Sequence, residues 1–209
     1  MKSVLVVDDD AMIVDVLVRM LRMDGYNPLS ASGGKQCLRL LEKDRPDLIL
    51  LDIMMEPMDG WETLRQIKEN PATRDIPVAM LTAKQLTPDE VSKYGSLIED
   101  YIMKPTTHRQ LNEAITYILS RRDGILNDIL KAEQSGVDRE IVEEYAELAH
   151  NVDVLKGLLN TLTGFYDIHN AQKRGPIGQN IARAVQQLAM VARFQEERLH
   201  QIRSQIHSA

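Results

Sequence analysis

The stretch Leu48-Ile49-Leu50-Leu51-Asp52 decides the fold. Four consecutive aliphatic residues between Asp47 and Asp52 are too few for a helix. Without alternation they predict a strand covered on both faces, as in a parallel sheet. Asp52 then stands at the strand's carboxyl end, the edge at which open α/β sheets bind ligands. The following Ile53-Met54-Met55-Glu56-Pro57-Met58-Asp59-Gly60 reads as a tight loop that ends in Asp-Gly before a helix at Trp61. An exposed carboxylate is therefore expected at the tip of a buried strand.

The same grammar repeats on either side. Ser3-Val4-Leu5-Val6-Val7 is a second buried-strand pattern and runs into Asp8, Asp9 and Asp10. Helical spacing begins at once, with Ile13, Val16, Leu17, Met20 and Leu21 on one face until Gly25 stops it. Residues 26–31 suit a short strand, and Gly33-Gly34 opens a helix carrying Cys37, Leu38, Leu40 and Leu41. Beyond Trp61, Leu64 and Ile67, which read as core residues, Asn70-Pro71 breaks the next helix. Residues 76–81 form a strand with Thr82-Ala83 at its carboxyl end. Thr87-Pro88-Asp89-Glu90 is a capping box with proline at the first helical position. Tyr101-Ile102-Met103 is the last short strand, closed by Lys104-Pro105, and a helix starts near Thr107.

Five strands alternating with five helices predict an α/β domain, a doubly wound five-stranded parallel sheet. Asp8 and Asp9, Asp52, Thr82 and Lys104 then lie at the carboxyl ends of four strands and should converge on one edge. Clustered carboxylates repel one another unless a hard divalent cation is held among them by oxygen ligands, and magnesium suits such a site. A lysine and a hydroxyl beside it suit a phosphoryl group. Taken alone, an Asp-Asp pair at a helix start is usually a cap, and a Lys-Pro usually a turn. Their joint placement carries the reading.

In order and spacing, Val6-Val7-Asp8-Asp9, the strand-end Asp52 with Met58-Asp59-Gly60, Thr82-Ala83, and Tyr101 with Lys104-Pro105 resemble the receiver domain of two-component response regulators. The resemblance covers about residues 1–121 and implies a flavodoxin-like fold. It implies that Asp52 accepts a phosphoryl group, as a mixed anhydride, from a sensor histidine kinase or a small phosphodonor. Asp9, Asp52 and the backbone carbonyl of Met54 would bind Mg2+ directly, and Asp8 through water. Lys104 would contact the phosphoryl oxygens, while Thr82 and Tyr101 would switch, carrying the signal to the face of the last helices. The Lys104-Pro105 bond is expected cis. Beyond its own phosphorylation and dephosphorylation the chain is not expected to be an enzyme. One departure stands out: Glu56 and Pro57 occupy the places where the family usually has a proline first. Asp10, often Glu in the family, reads as a helix cap. Dehalogenase-like phosphatases need a second acid two residues after the nucleophile, where this chain has Met54.

The chain has 209 residues, 31 acids against 25 bases, and a net charge of −6, which argues against nucleic-acid binding by overall field. The single Cys37 excludes an internal disulfide and reads as a buried hydrophobe. No apolar run reaches the roughly 18 residues that span a bilayer, and Met1-Lys2 leads directly into a strand. A cytoplasmic protein without membrane contact is expected.

Residues 122–209 read as a helical, coiled-coil-like extension. The stripe Leu111, Ile115, Ile118, Ile125, Ile129 continues to Ser135-Gly136, and a new helix starts at Asp138. Ile141, Tyr145, Leu148, Val152, Leu155, Leu159, Leu162 and Tyr166 recur in 4-3 steps, the heptad seam of a coiled coil. After a turn at Lys173-Arg174-Gly175-Pro176, Ile181, Val185, Leu188, Ala192, Gln195, Leu199, Ile202 and Ile206 repeat it. The expected product is an all-α antiparallel hairpin. Residues 123–170 carry ten acids and three bases, residues 171–209 six bases and two acids, so the two arms attract. Apolar residues off the seam, including Leu158, Phe165, Ala184 and Val191, should seek the receiver or a second copy; a homodimer and a downstream protein partner are expected. Two alternatives stay open: a DNA-binding output, for which no short helix-turn-helix appears, and a phosphorelay histidine at His150, whose Lys156 lies farther off than phosphotransfer modules use.

Overall fold

A computed structural model describes residues 1–166 and 175–207. By their contacts these form two compact units: Met1–Gln85 with Leu97–Leu119, and Leu86–Ser96 with the residues from Ser120 onward. This partition cuts the chain differently from a boundary at residue 121, because a short segment before the last strand joins the second unit.

The first unit is a five-stranded parallel sheet in the order β2-β1-β3-β4-β5. Its strands are β1 (Ser3–Val7), β2 (Asn27–Ala31), β3 (Leu48–Leu51), β4 (Val78–Thr82) and β5 (Asp100–Met103). The helices are α1 (Ala11–Met23), α2 (Gly34–Leu41) and α3 (Gly60–Glu69), together with the first turns of α5 (His108–Gln134). All four residues of β3 and all five of β4 are buried, as unbroken apolar runs require of central parallel strands. On one face Val4, Val6, Leu48, Leu50, Ala79 and Leu81 pack with Leu17 and Leu21 of α1 and Leu111, Ile115 and Ile118 of α5. Leu5, Ile49 and Met80 point to the other face and are equally buried. Burying such a side chain stabilises by about 1.5–3 kcal/mol each, so these rows fix the sheet and the position of every strand end. Trp61, Leu64 and Ile67 of α3 are core residues. Cys37 is fully buried, and burial pushes its thiol up to about 12.

The second unit is helical. It holds α4 (Pro88–Tyr94), the start of the 3-10 turn Gly95–Leu97 that continues it, the later turns of α5, α6 (Arg139–Phe165) and α7 (Gly175–His207). Thr87 closes its capping box with Glu90. The stop after α5 falls at Gly136, whose φ of 76° lies where L side chains rarely go, and Asp138 caps α6. Of the expected turn, Lys173 and Arg174 lie outside the described residues, while Gly175 and Pro176 already belong to α7. Tyr145 and Val152 of α6 meet Leu199, Ile202 and Ile206 of α7, as the heptad stripes predict. Ala132 of α5 completes that cluster. The hairpin is thus joined by two further helical pieces. Leu158, expected to remain uncovered by the hairpin, is buried at 1% exposure. A Cβ on Gly95 would stand 3.3 Å from its Cδ1, which places the end of α4 over it. Glu144 receives a two-pronged hydrogen bond from Arg198 (2.7 and 2.8 Å) in the charge sense expected of the arms. Lys156 and Glu196 pair in the opposite sense. No helix among the described residues is long and apolar enough to cross a membrane.

Candidate functional site

The carboxyl edge of the sheet brings the sequence-marked residues together. Asp52 follows β3, and its backbone N–H donates to Val7 O (2.9 Å), so the ends of β1 and β3 stand side by side. Carboxylate oxygens of Asp8, Asp9 and Asp52 all lie within 4.8 Å of one another. Lys104, after β5, is held by its N–H to Thr82 O (2.8 Å). Its Nζ reaches in, forming a hydrogen-bonded ion pair with Asp8 and standing 3.5 Å from Asp52 Oδ2. The Lys104-Pro105 bond is cis.

Asp52 is not exposed as its place at a strand tip suggested; it retains 6% exposure and Asp8 only 2%. The ammonium supplies the counter-charge that lets two carboxylates be buried at this edge. Backbone donors add to it: Ile53 N–H gives to Asp52 Oδ1 (2.8 Å) and Asp10 N–H to Asp8 Oδ1 (2.9 Å). Asp9 remains exposed and accepts from Glu56 N–H (3.3 Å). The Glu56-Pro57 bond is cis, and Glu56 meets the acidic cluster through its amide. Asp10 caps α1, accepting from Met12 N–H at 2.8 Å, and stands apart from the carboxylate cluster. Three acid oxygens at this spacing form the all-oxygen donor set that a hard divalent cation takes.

Thr82 is fully buried at the end of β4, and its Oγ1 accepts from Lys84 N–H (3.2 Å). Ala83 is exposed beside it. Tyr101 is buried at 4% exposure, and its hydroxyl donates to Lys84 O (2.7 Å). Lys84 thus ties the two residues to one short loop. Met54 presents an exposed side chain.

Sequence reading undervalued Gly60. A Cβ there would fall 2.1 Å from Asp52 O and 2.7 Å from Ile53 Cα, and Gly60 N–H donates to Ile53 O (2.9 Å). The loop after Asp52 closes only because this position has no side chain. The Asp-Gly pair was legible as a turn; its contact with the backbone of Asp52 was not.

A doubly wound domain with an acidic pocket and an inserted lysine at its switch edge defines a narrow class of proteins. Residues 4–116, over half of the chain, match the family described as response regulator receiver domain, and this chain belongs to that family. Residues 121–209 match a second family, described as Metanogen output domain 2. The chain is 37% identical over 122 residues to the alkaline phosphatase synthesis transcriptional regulatory protein PhoP of Bacillus subtilis, covering 58% of this chain and 50% of that protein. It spans about half the length of the curated relatives it matches. Among solved structures, a CheY-like receiver domain protein from Methanospirillum hungatei is 36% identical, with 57% of this chain and 94% of that chain covered and a TM-score of 0.52. The response regulator TrrA of Thermotoga maritima, solved in complex with Mg(2+)-BeF, is 28% identical over 57% of this chain and all of that one, with a TM-score of 0.52.

Proposed function

We propose that Asp52 is the phosphoacceptor of a two-component response regulator whose C-terminal helices are a protein-interaction output. The observation that carries this reading is the convergence of Asp8, Asp9 and Asp52 within 4.8 Å, with Lys104 Nζ 3.5 Å from Asp52. An oxygen of Asp52 attacks the phosphorus of a phosphohistidine on a sensor kinase, or of a small phosphodonor. The new O–P bond makes a mixed anhydride, and the breaking bond returns its electron pair to the leaving group. Asp9, Asp52 and the Met54 carbonyl would hold magnesium directly, Asp8 through water. When bound, the ion neutralises charge on the phosphoryl oxygens. Lys104 is placed to pair with one of those oxygens, and Thr82 Oγ1 to donate to another after leaving Lys84. Positioning and electrostatics supply most of the rate in such transfers.

Functionally, residues 1–121 are the receiver and 122–209 the output. Tyr101 and Thr82 would pass the change at Asp52 to the helical part. The exposed Met190, Val191 and Phe194 of α7 support a homodimer or a protein partner on that helix. PhoP and its like are transcriptional regulators by name, but this chain spans only about half of such relatives and its residues 121–209 match a second family, described as Metanogen output domain 2, which favours a protein-directed output. His150 lies half-buried on α6.

The test is labelling of the full chain with a radiolabelled small phosphodonor and magnesium. Hydroxylamine-sensitive label is expected on the native protein and none on Asp52→Asn. Persistent acyl-phosphate on Asp52→Asn contradicts the assignment, and label on His150 revives the phosphorelay alternative.

A further inference from the structure

Helix α7 carries two rows of heptad spacing. One is the seam that packs on α6. The other is Arg183, Gln187, Met190, Phe194, Glu197 and Gln201, again in 4-3 steps, and every one of its members is exposed. Its centre is apolar: Met190 is 71% and Phe194 74% exposed, with Val191 beside them at 48%. A row at seam spacing with an apolar centre and polar ends is the pattern by which one helix packs on another. Helix α6 already lies on the first row.

The order of residues along the second row selects the helix that fits it. Laid antiparallel against a second copy of itself and centred level with Ala192, the row sets Met190 against Phe194, Gln187 against Glu197 and Arg183 against Gln201. Apolar meets apolar, an amide meets a carboxylate, and no like charges face each other. Arg183 then stands one turn from Glu197 of the second copy. Its own helix cannot supply that neighbour, because the two residues are about 21 Å apart along the axis. A parallel pairing in register would instead set Arg183 on Arg183 and Glu197 on Glu197. The row is thus its own complement, as an isologous two-fold contact requires.

There is room for the anchors. A cleft of about 530 Å³ beside the row is lined by Leu148 of α6 and by Met190, Val191, Phe194 and Gln195 of α7. In the antiparallel pairing Phe194 of one copy arrives at Met190 of the other, on the wall of that cleft. Charged residues next to the row are engaged within the chain, Arg198 by Glu144 and Glu196 by Lys156. Arg183 and Glu197 are left to set the register.

We propose that the row from Arg183 to Gln201 of α7 is an antiparallel, two-fold contact between two copies of this chain, with Met190 and Phe194 as mutual anchors and Arg183 facing Glu197 across it. The inference rests on α7 being an interaction surface and does not depend on the state of Asp52. Three apolar residues per copy are few for a specific interface, so the pair belongs at the weak end and dissociates at roughly micromolar concentration.

Sedimentation of the full chain and of surface variants, each checked for native helicity, tests it. Phe194→Asp is expected to weaken self-association about 30-fold, the loss typical of an anchor. Arg183→Glu and Glu197→Arg singly bring like charges together, and each is expected to weaken it about fivefold. The double variant Arg183→Glu/Glu197→Arg restores opposite charges and is expected to return to within about twofold of native. Since one chain cannot pair these two residues, that rescue reads the contact between copies. A double variant no tighter than the single ones overturns the antiparallel register. A native chain that stays monomeric at about 100 µM, well above the concentration expected, overturns the homodimer and leaves α7 as a surface for a foreign partner. Self-association untouched by Phe194→Asp overturns the inference and the reading of α7 as an interaction surface alike. Should Phe194→Asp lose helicity, a mixture of Met190→Cys and Phe194→Cys chains oxidised with diamide decides: the mixed disulfide is expected, and its absence overturns the pairing.

Discussion

The two compact units bury their apolar residues in opposite styles. In the sheet unit, whole strands are enclosed: Leu48 to Leu51 and Val78 to Thr82 keep essentially no exposed surface, and a Cβ added at Gly60 or Gly34 meets atoms closer than 3 Å. In the helical unit, Met190 and Phe194 stand more than 70% exposed, a cavity sits beside Asn151 and Gln195, and Gly124, Gly157 and Gly164 have open space around them. Packing density decides where each unit's chemistry can lie. A site needing several groups held to fractions of an ångström belongs on the tightly packed edge, whereas a surface that exchanges partners gains from looser packing.

Glycine substitutions strain that comparison most. Gly60→Ala forces a Cβ against the Asp52 carbonyl and should cost about 3 kcal/mol, the upper end for forced repacking. Gly124→Ala, in the open interior of α5, should instead stabilise by about 0.5–1 kcal/mol. Thermal unfolding of the two variants checks both signs; a destabilising Gly124→Ala would show the helical unit to be as tight as the sheet. Next in size, Asp9→Ala should weaken magnesium binding about 100-fold, since even outer partners of a metal are worth roughly 10–100-fold. Titration followed by Trp61 fluorescence would measure it, and unaltered affinity would remove Asp9 from the donor set.

Tyr145→Phe is the milder probe of the helical core. The buried Tyr145 hydroxyl donates to Asp128 at 2.5 Å, and its loss should cost about 1 kcal/mol. Burial first, then the Asp128 carboxylate, hold this phenol's pKa above its ordinary value of 10.0. A raised folded-state pKa gives stability that is complete below the unfolded value. It is lost as pH rises through the folded one, so the native chain should weaken above about pH 10. Tyr145→Phe should remove that part of the alkaline decline; an identical slope in both proteins would contradict the assignment. Smallest of all, Arg198→Ala breaks a pair whose members are both solvent-exposed and should leave the melting temperature nearly unchanged.

The same contrast explains what was legible in the sequence. Unbroken apolar runs leave a strand no choice but the centre of a parallel sheet, and the sequence alone therefore puts the acids, Thr82 and Lys104 at strand ends. The heptad steps located the α6–α7 seam through Tyr145, Val152, Leu199 and Ile202. Sequence could not place Leu158 beneath Gly95, because α4 is short, its apolar residues are few, and nothing in its local pattern chooses between two neighbouring surfaces. It also missed the burial of Asp52. That depends on an ammonium arriving from β5, more than fifty residues away along the chain, and on the bare Cα of Gly60.

In the proposed mechanism the state of Asp52 governs the helical unit. Sedimentation of the full chain with magnesium, with and without beryllofluoride, tests it most directly, with Asp52→Asn as the control. Beryllofluoride is expected to shift the self-association of the native chain and to leave Asp52→Asn where it was. Identical sedimentation of the native chain in both conditions, with beryllofluoride bound at Asp52, would contradict it.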